Sequence, residues 1–304
     1  YEKNIQKKIE LIKKLQQECQ QRNDMFHVGD CLVAIGQIQF GNGQYADAFE
    51  NLLAADDIFK KIGYENVPMM GKYLHDFALD YFFFRDYEKA VAYMKEAIKL
   101  PKYNNNLDVQ QYNTLGVSYL KLNQLDSAYV YLDIAHKKAI EYKNDIWIGL
   151  TAGSIGEVLF RKGEYQKALE YFSEDCRINS NSYSVDIQQN AAVNMAKVHL
   201  KLGDLTKARH YLLLTSNSFP KPETNTFGIQ QQLEQAKRNY YEVSHEYYLK
   251  INDYKTALQY ADSLHIAEKI RDSKYNALVV EKASGQLELL QSKMELQIYE
   301  KDKK

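Results

Sequence analysis

The chain has 304 residues, of which 45% are apolar, and its formal net charge at pH 7 is -1. Only 14 glycines and 4 prolines interrupt it, so the composition favours one long, mostly helical array with an ample core over two unrelated globules. A net charge close to zero gives no basis for nucleic acid or an anionic membrane as a bulk partner. No run of about 18 apolar residues occurs, so we expect no membrane span. Because the chain begins at Tyr1 and shows no signal peptide, we expect an excised fragment or a processed chain.

The residues that usually carry chemistry are few and scattered. Cys19, Cys31 and Cys176 show no metal-ligand spacing, and their odd number argues against a full disulfide framework while leaving one bridge possible. The cysteines therefore leave the cellular compartment open. No glycine-rich phosphate loop, HExxH motif or nucleophile elbow is present. We expect no cofactor, no metal and no catalytic residue in this part of the protein, and hence no enzyme activity.

The first predicted element is an amphipathic helix over residues 4–21, with Ile9 and Cys19 near its apolar side and lysines opposite. No complete repeat precedes the unit that follows. We therefore expect residues 1–25 to form an N-terminal helix that is either a cap or half of a repeat.

From residue 26 to residue 264 one pattern recurs six times. Its most regular member is an alanine, found at Ala48, Ala90, Ala128, Ala168, Ala208 and Ala257, in steps of 42, 38, 40, 40 and 49 residues. A small residue stands twelve positions earlier in the first five copies: Gly36, Ala78, Gly116, Gly156 and Ala196. Small residues at these two places allow two antiparallel helices to approach closely, while large residues between them fill the remaining space.

This pattern resembles the tetratricopeptide repeat, in which Gly116 would occupy position 8 and Ala128 position 20. The family's usual period is about 34 residues, so each unit here carries roughly one extra helical turn or more, in its helices or its linker. The resemblance implies an all-α fold, a right-handed α-solenoid of about six helix pairs, followed by a long C-terminal helix.

In this family the first helix of each pair lines a concave groove, mainly through positions 2, 5, 9, 12 and 13. The resemblance implies a peptide or protein ligand there, because amides suit a peptide backbone and apolar pockets hold its side chains. The opposing interpretation is that the apolar members pack only against the neighbouring helix. The groove residues are Lys72, His75, Phe82, Phe83, Gln110, Asn113, Val117, Lys121, Glu157, Arg161, Asn190, Lys197 and Lys201.

Residues 265–304 form the last predicted region, a charged helix. Val280, Ala283, Leu287, Leu290 and Met294 follow one another at spacings of 3 and 4, a short heptad seam that Gly285 interrupts. Two interpretations stay open. The helix caps the last repeat, or it is a coiled-coil connector that makes a homodimer and leads to a domain beyond residue 304.

The array, its long period and the charged tail together resemble the extracytoplasmic tetratricopeptide region of bacterial membrane-bound histidine kinases and helix-turn-helix regulators. That resemblance implies a non-catalytic sensor of peptides or proteins in signal transduction, lying in the periplasm as part of an inner-membrane protein, with the histidine kinase or regulator domain elsewhere. Two alternatives remain: a cytoplasmic peptide-pheromone receptor of the Rap type, and a passive assembly scaffold.

Overall fold

The computed structural model describes residues 2–179, 185–216, 227–273 and 276, and every regular element in these ranges is helical. The predicted heptad seam at residues 280–294 lies outside them. A single 3-10 turn, Tyr64–Asn66, separates the third helix from the fourth. The helices are α1 (Glu2–Gln21), α2 (Met25–Gly41), α3 (Tyr45–Ile62), α4 (Met70–Phe83), α5 (Tyr87–Ala97), α6 (Asn105–Lys121), α7 (Leu125–Glu141), α8 (Asp145–Arg161), α9 (Tyr165–Asn179), α10 (Val185–Lys201), α11 (Leu205–Ser216), α12 (Phe227–Lys250) and α13 (254–273).

The same turn joins the two helices of each pair. At position 15 the backbone takes a positive φ, which is 79° at Gly163 and 57° at Asn123. The next residue then bonds back over the end of the first helix, as Gln124 N does to the Tyr119 carbonyl oxygen at 2.9 Å. This left-handed ending satisfies carbonyls that the helix leaves unpaired and reverses the chain at a fixed place. The residues with this φ are Gly43, Arg85, Asn123, Gly163, Gly203 and Asn252.

Close contact between the paired helices confirms the repeat pattern. All six alanines at position 20 are at most 1% exposed. A Cβ added at Gly116 would lie 2.5 Å from Leu132 Cγ, and one added at Gly156 would lie 2.5 Å from Phe172 Cδ1. In the sixth pair His245 stands where the other pairs have a small residue, and its Nδ1 lies 2.9 Å from the Ala257 carbonyl oxygen. The described structure is therefore a set of tetratricopeptide-type helix pairs, as predicted.

Aromatic stacking adds a contact that the sequence analysis did not identify. Position 11 of the first helix and position 23 of the second carry rings that lie parallel, with centroids 5.4–5.8 Å apart. Such offset pairs stabilise a contact by about 0.5–1.5 kcal/mol beyond the area they bury. The two aromatic residues are twelve positions apart in each of these pairs, so their stacking could have been predicted from the sequence. The pairs are Tyr81 with Tyr93, Tyr119 with Tyr131, His199 with Tyr211, and Tyr248 with Tyr260.

The chain divides into two compact units. The first holds α1 to α3 and the start of α4 as far as Phe77. In it α1 packs on α2, the Phe59 and Tyr73 rings stack with centroids 5.3 Å apart, and the Tyr73 hydroxyl donates to Asp30 Oδ1 at 2.6 Å. The second unit runs from Ala78 to Asp272 and contains the third to sixth helix pairs. Within the described residues, no helix is long and apolar enough to span a bilayer.

Candidate functional site

The candidate site within the second unit lies on the first helices of successive pairs. Among these helices, α6 adjoins α8, α8 adjoins α10, and α10 adjoins α12. Positions 5, 9 and 13 are four residues apart and therefore fall on one face of each helix. We define this face as the first-helix surface. Its members are Asn113, Val117 and Lys121 on α6, Gly153, Glu157 and Arg161 on α8, Val193, Lys197 and Lys201 on α10, and Glu242, Glu246 and Lys250 on α12.

Glu157 is the centre of the charge network on this surface. Its carboxylate accepts from Arg161 Nε at 2.8 Å and from Lys197 Nζ on the neighbouring helix at 2.9 Å. Burial alone would raise the pKa of Glu157, but the two cations outweigh that effect and hold the pKa below its usual range. Glu157 is therefore ionised at neutral pH and fixed between α8 and α10.

The cations at position 13 connect successive first helices. Arg161 Nη1 donates to the Leu120 carbonyl oxygen at the end of α6 at 3.3 Å, and Lys250 Nζ donates to the Leu200 carbonyl oxygen at the end of α10 at 3.0 Å. A helix leaves its last carbonyls unpaired and carries a partial negative charge there, so cations are favourable partners. Lys201 forms an ion pair with Glu246 at 2.5 Å instead.

Lys121 differs from the other three cations at position 13. It is exposed, and it makes no hydrogen bond or ion pair with any described residue. Although the residue as a whole is exposed, the surrounding helices partly desolvate its ammonium group. This desolvation lowers the pKa of Lys121, and the nearby Arg161 lowers it further. Glu157, the carboxylate that favours the charged form of Lys121, is already shared by Arg161 and Lys197, so positive charge exceeds negative charge here.

Asn113 lies two turns before Lys121 on the same helix. The residue is half-buried, and its side-chain oxygen Oδ1 is buried without a hydrogen-bond donor among the described residues. An unpaired buried acceptor costs about 1–3 kcal/mol, so this oxygen is an unfavourable group in the structure as it stands. Val117, between the two, supplies a half-buried apolar contact.

The predicted groove residues are distributed over both units and differ in accessibility. Lys72 and His75 belong to the first unit, and the others to the second. Lys72 is engaged with Asp76 at 2.7 Å, whereas His75 is only 4% exposed and neither ring nitrogen has a hydrogen-bond partner in the described part of the chain. The exposed members are Lys121, Arg161 and Lys201; the half-buried ones are Lys72, Phe82, Phe83, Gln110, Asn113, Val117, Glu157, Asn190 and Lys197.

Three further charged residues belong to this region and were not predicted. Lys250 and Glu246 extend the network onto α12, as described above. Arg238 lies one turn before Glu242 on α12 and is 8% exposed. Burial lowers the pKa of Arg238, and repulsion from Arg271 lowers it further. The sequence held a signal for Lys250, because a cation recurs at position 13 of the third to sixth pairs. The predicted groove did not include the sixth pair, so this residue was missed. Among the described residues, no three His, Cys, Asp or Glu side chains converge as a metal site would require.

Comparison with known proteins supports the repeat assignment. The tetratricopeptide-repeat family matches residues 72–104. No curated protein matches the chain in sequence. Among solved structures, apo RapI is similar over 81% of this chain and 99% of its own, at 12% identity and a TM-score of 0.61. Aspartyl phosphate phosphatase F from Bacillus subtilis is similar over 81% of this chain and 73% of its own, at 15% identity and a TM-score of 0.58.

A third structure, NprR in complex with its cognate peptide NprX, covers 91% of this chain and 83% of its own, at 18% identity and a TM-score of 0.52. At such identities the likeness concerns the fold alone. Together with the six helix pairs and the matched repeat, it identifies the chain as a tetratricopeptide-repeat array.

Proposed function

We propose that this chain is a non-catalytic peptide-binding protein that takes an extended peptide across the first-helix surface of α6, α8 and α10. The observation that carries the proposal is the chemistry of that surface, where the half-buried Asn113 and Val117 lie on the same helix face as the exposed Lys121, and further cations lie on the two neighbouring helices. Asn113 in particular holds a buried acceptor that has no donor in the described chain, and rotation of this half-buried side chain would present that acceptor to a peptide. A peptide backbone offers a row of such donors, and ordered side-chain amides are suited to bind them.

The dimensions of the surface fit a short peptide. Adjacent helices pack about 8–10 Å apart, so three of them span roughly 20 Å. An extended chain rises about 3.3 Å per residue, so a peptide of about six or seven residues would cross all three helices. Every second side chain of such an extended peptide would face the first-helix surface and could contact its charged or apolar residues.

The similarity to NprR, which was solved with its cognate peptide, supports a receptor of the Rap type over the sensor of a membrane-bound kinase. The sensor interpretation depends on the tail at residues 280–294, which lies outside the described residues, and it stays a prediction. So does the homodimer through that tail. A cytoplasmic location goes with the Rap-type proposal, and a periplasmic one with the sensor.

The test is affinity selection of a synthetic heptapeptide library by the full chain, with bound peptides identified by mass spectrometry. Fluorescence anisotropy then gives the Kd of a selected peptide. Replacing Asn113 by Ala together with Asn190, the half-buried amide at position 2 of α10, should raise that Kd about 10-fold or more, since an unpaired partner in a complex costs about 1–3 kcal/mol.

The matched control is Gln166→Ala, because Gln166 is an exposed amide on α9, a second helix. It should leave the Kd unchanged, and far-UV circular dichroism should show that all variants keep their helices. If no peptide is selected, or if the double variant binds as the parent does, the passive scaffold becomes the better interpretation.

A further inference from the structure

The hairpin between α1 and α2 has the same turn as the two helices of each repeat pair. Asn23 takes a positive φ of 56°, and Asp24 N donates to the Cys19 carbonyl oxygen at 2.9 Å. At the turn between α6 and α7, Asn123 has a φ of 57°, and the next backbone N–H donates to the Tyr119 carbonyl oxygen, also at 2.9 Å. Because the turn sets the directions in which its two helices leave it, α1 and α2 meet in the geometry of a repeat pair.

Cys19 and Cys31 occupy the places of the stacked aromatic rings in this hairpin. In four repeat pairs the rings stand four residues before the positive-φ residue and eight residues after it, with centroids 5.4–5.8 Å apart. Cys19 lies four residues before Asn23, and Cys31 lies eight residues after it. The two thiols therefore lie side by side between α1 and α2.

The surroundings of the two thiols agree with this placement. Both are free and buried, with Cys19 9% and Cys31 5% exposed. Burial raises the pKa of the Cys31 thiol, and the nearby Cys19 raises it further. Cys176 is half-buried on α9, in the second compact unit. The turn thus brings together Cys19 and Cys31, and Cys176 is the odd cysteine of the sequence.

We propose that Cys19 and Cys31 form a dithiol site that a low-molecular-weight disulfide, such as oxidised glutathione, converts to an intrachain disulfide. The thiolate of one cysteine attacks the small disulfide, forms a mixed disulfide and releases one small thiol. The second cysteine then attacks the protein sulfur of the mixed disulfide, releases the second small thiol and completes the bridge. The two cysteines are oxidised, the small disulfide is reduced to two thiols, and the two protons that the cysteines lose end on those thiols.

The bridge ties the first helix of the chain to the array. The helix α1 packs on α2, and a terminal helix opens more readily than one packed between two neighbours. Docked α1 shields both thiols, so exchange takes place while α1 is briefly open, and the completed bridge then holds the hairpin closed. This site is separate from the first-helix surface of α6, α8 and α10, and it does not depend on peptide binding.

The experiment incubates the full chain in buffers of fixed ratios of reduced to oxidised glutathione, traps the remaining thiols with a maleimide and maps the cysteines by mass spectrometry after trypsin digestion. Cys19 and Cys31 should appear in one linked pair of peptides, whereas Cys176 should carry glutathione. Reducing the bridge should need about 10-fold more reduced glutathione, or more, than releasing glutathione from Cys176, because the second thiol is held beside the first.

Two comparisons separate the geometry of the fold from closeness in sequence. In urea the α1–α2 hairpin is lost, so the bridge should be reduced at a glutathione concentration about 10-fold lower or less. The double variant Cys31→Ser, Leu32→Cys moves the thiol about 100° around α2 and should form no bridge. Cys176→Ala should form the bridge as the parent does. Far-UV circular dichroism shows whether each variant keeps its helices.

Three results would overturn the proposal. The first is a folded parent in which Cys19 and Cys31 stay reduced or each take up glutathione. The second is equal resistance of the bridge to reduction with and without urea, since the fold would then not position the thiols. The third is a bridge that forms in the folded Cys31→Ser, Leu32→Cys variant as readily as in the parent.

Discussion

The third and fourth helix pairs have the same architecture but fill the space between their helices from opposite sides. In the third pair, Val109 on α6 packs against Ala135 and Ala139 on α7, so the larger side chain comes from the first helix. In the fourth pair α8 has Gly149 in the place of Val109 and Gly153 one turn later, and α9 supplies the larger polar side chains of Asn179 and Asp175. A Cβ at Gly153 would lie 2.5 Å from Asp175 Oδ2.

This reversal shows that the repeat specifies a close helix contact without specifying which helix fills it. It also introduces a titratable group. Asp175 is 5% exposed and accepts one hydrogen bond, from Asn179 Nδ2 at 2.7 Å. Burial raises the pKa of Asp175 to about 7, because the single amide donor only partly offsets the loss of water and Glu174 adds repulsion. The third pair has alanine at this position and no such group.

The largest expected effect is the pH dependence of the free energy of unfolding that Asp175 in the fourth pair introduces. Between pH 4 and pH 7 the native chain keeps a proton on Asp175 that the unfolded chain, with a pKa of 3.8, releases. The free energy of unfolding should therefore fall as pH rises through this window, by at most about 4 kcal/mol from this residue. Asp175→Asn keeps the shape of the side chain but cannot ionise, so the free energy of unfolding of this variant should fall less between pH 4 and pH 7. Urea unfolding at several pH values measures this difference.

The control for this prediction is Glu170→Gln, which changes an exposed carboxylate on the same helix. Its pH profile should follow that of the parent. Parallel profiles for the parent and Asp175→Asn would show that Asp175 is not held neutral in the fold.

The next effect tests whether Gly153 and Asp175 compensate for each other. Gly153→Ala alone should destabilise the chain by about 1–3 kcal/mol through overpacking. With Asp175→Ala also present, the added methyl group gains room, so the loss should be smaller than the sum of the single losses by about 0.5–3 kcal/mol. Denaturant unfolding of the four proteins gives this difference.

The third pair provides the contrast for that cycle. Asn113 there occupies the position of Gly153, and its buried Oδ1 is unpaired, so Asn113→Ala removes an unfavourable group and should not lower the free energy of unfolding. Additive losses at Gly153 and Asp175 would mean that the two helices do not share one space.

The smallest effect concerns the aromatic stack, which the third pair has and the fourth lacks. Tyr131→Leu removes the ring that stacks on Tyr119 and should cost about 0.5–1.5 kcal/mol. In the fourth pair, position 11 is Leu159, and the Tyr171 ring meets His136 edge-on at 6.0 Å instead. Edge-on ring pairs stabilise a contact on the same scale, so Tyr171→Leu should also cost about 0.5–1.5 kcal/mol, lost from the contact with α7 of the third pair. A shift in thermal unfolding for only one of the two variants would show that the other ring pair contributes nothing.

The helix pairs were predictable because their signal is local. Glycine or asparagine at a left-handed turn, as at Gly163 and Asn123, and an alanine five residues later are set by backbone geometry within one pair. For the first-helix surface, the sequence could predict which positions belong to it but not whether each residue there is exposed or buried. Burial of His75 to 4% exposure could not be read from its place on a first helix, since it depends on what covers that helix.

The sequence by itself determined the all-helical architecture, the number and register of the helix pairs and the cations at position 13. Only the tertiary structure decided how those charges are paired. Arg161 reaches a carbonyl 41 residues earlier, and Lys197 reaches a carboxylate 40 residues earlier. The tertiary structure likewise decided that Asp175 fills the space left by Gly153 and that Lys121 remains without a partner. The physical reason is range: helix period and turn geometry act between near neighbours in the chain, whereas ion pairs and packing depend on distances between separate helices.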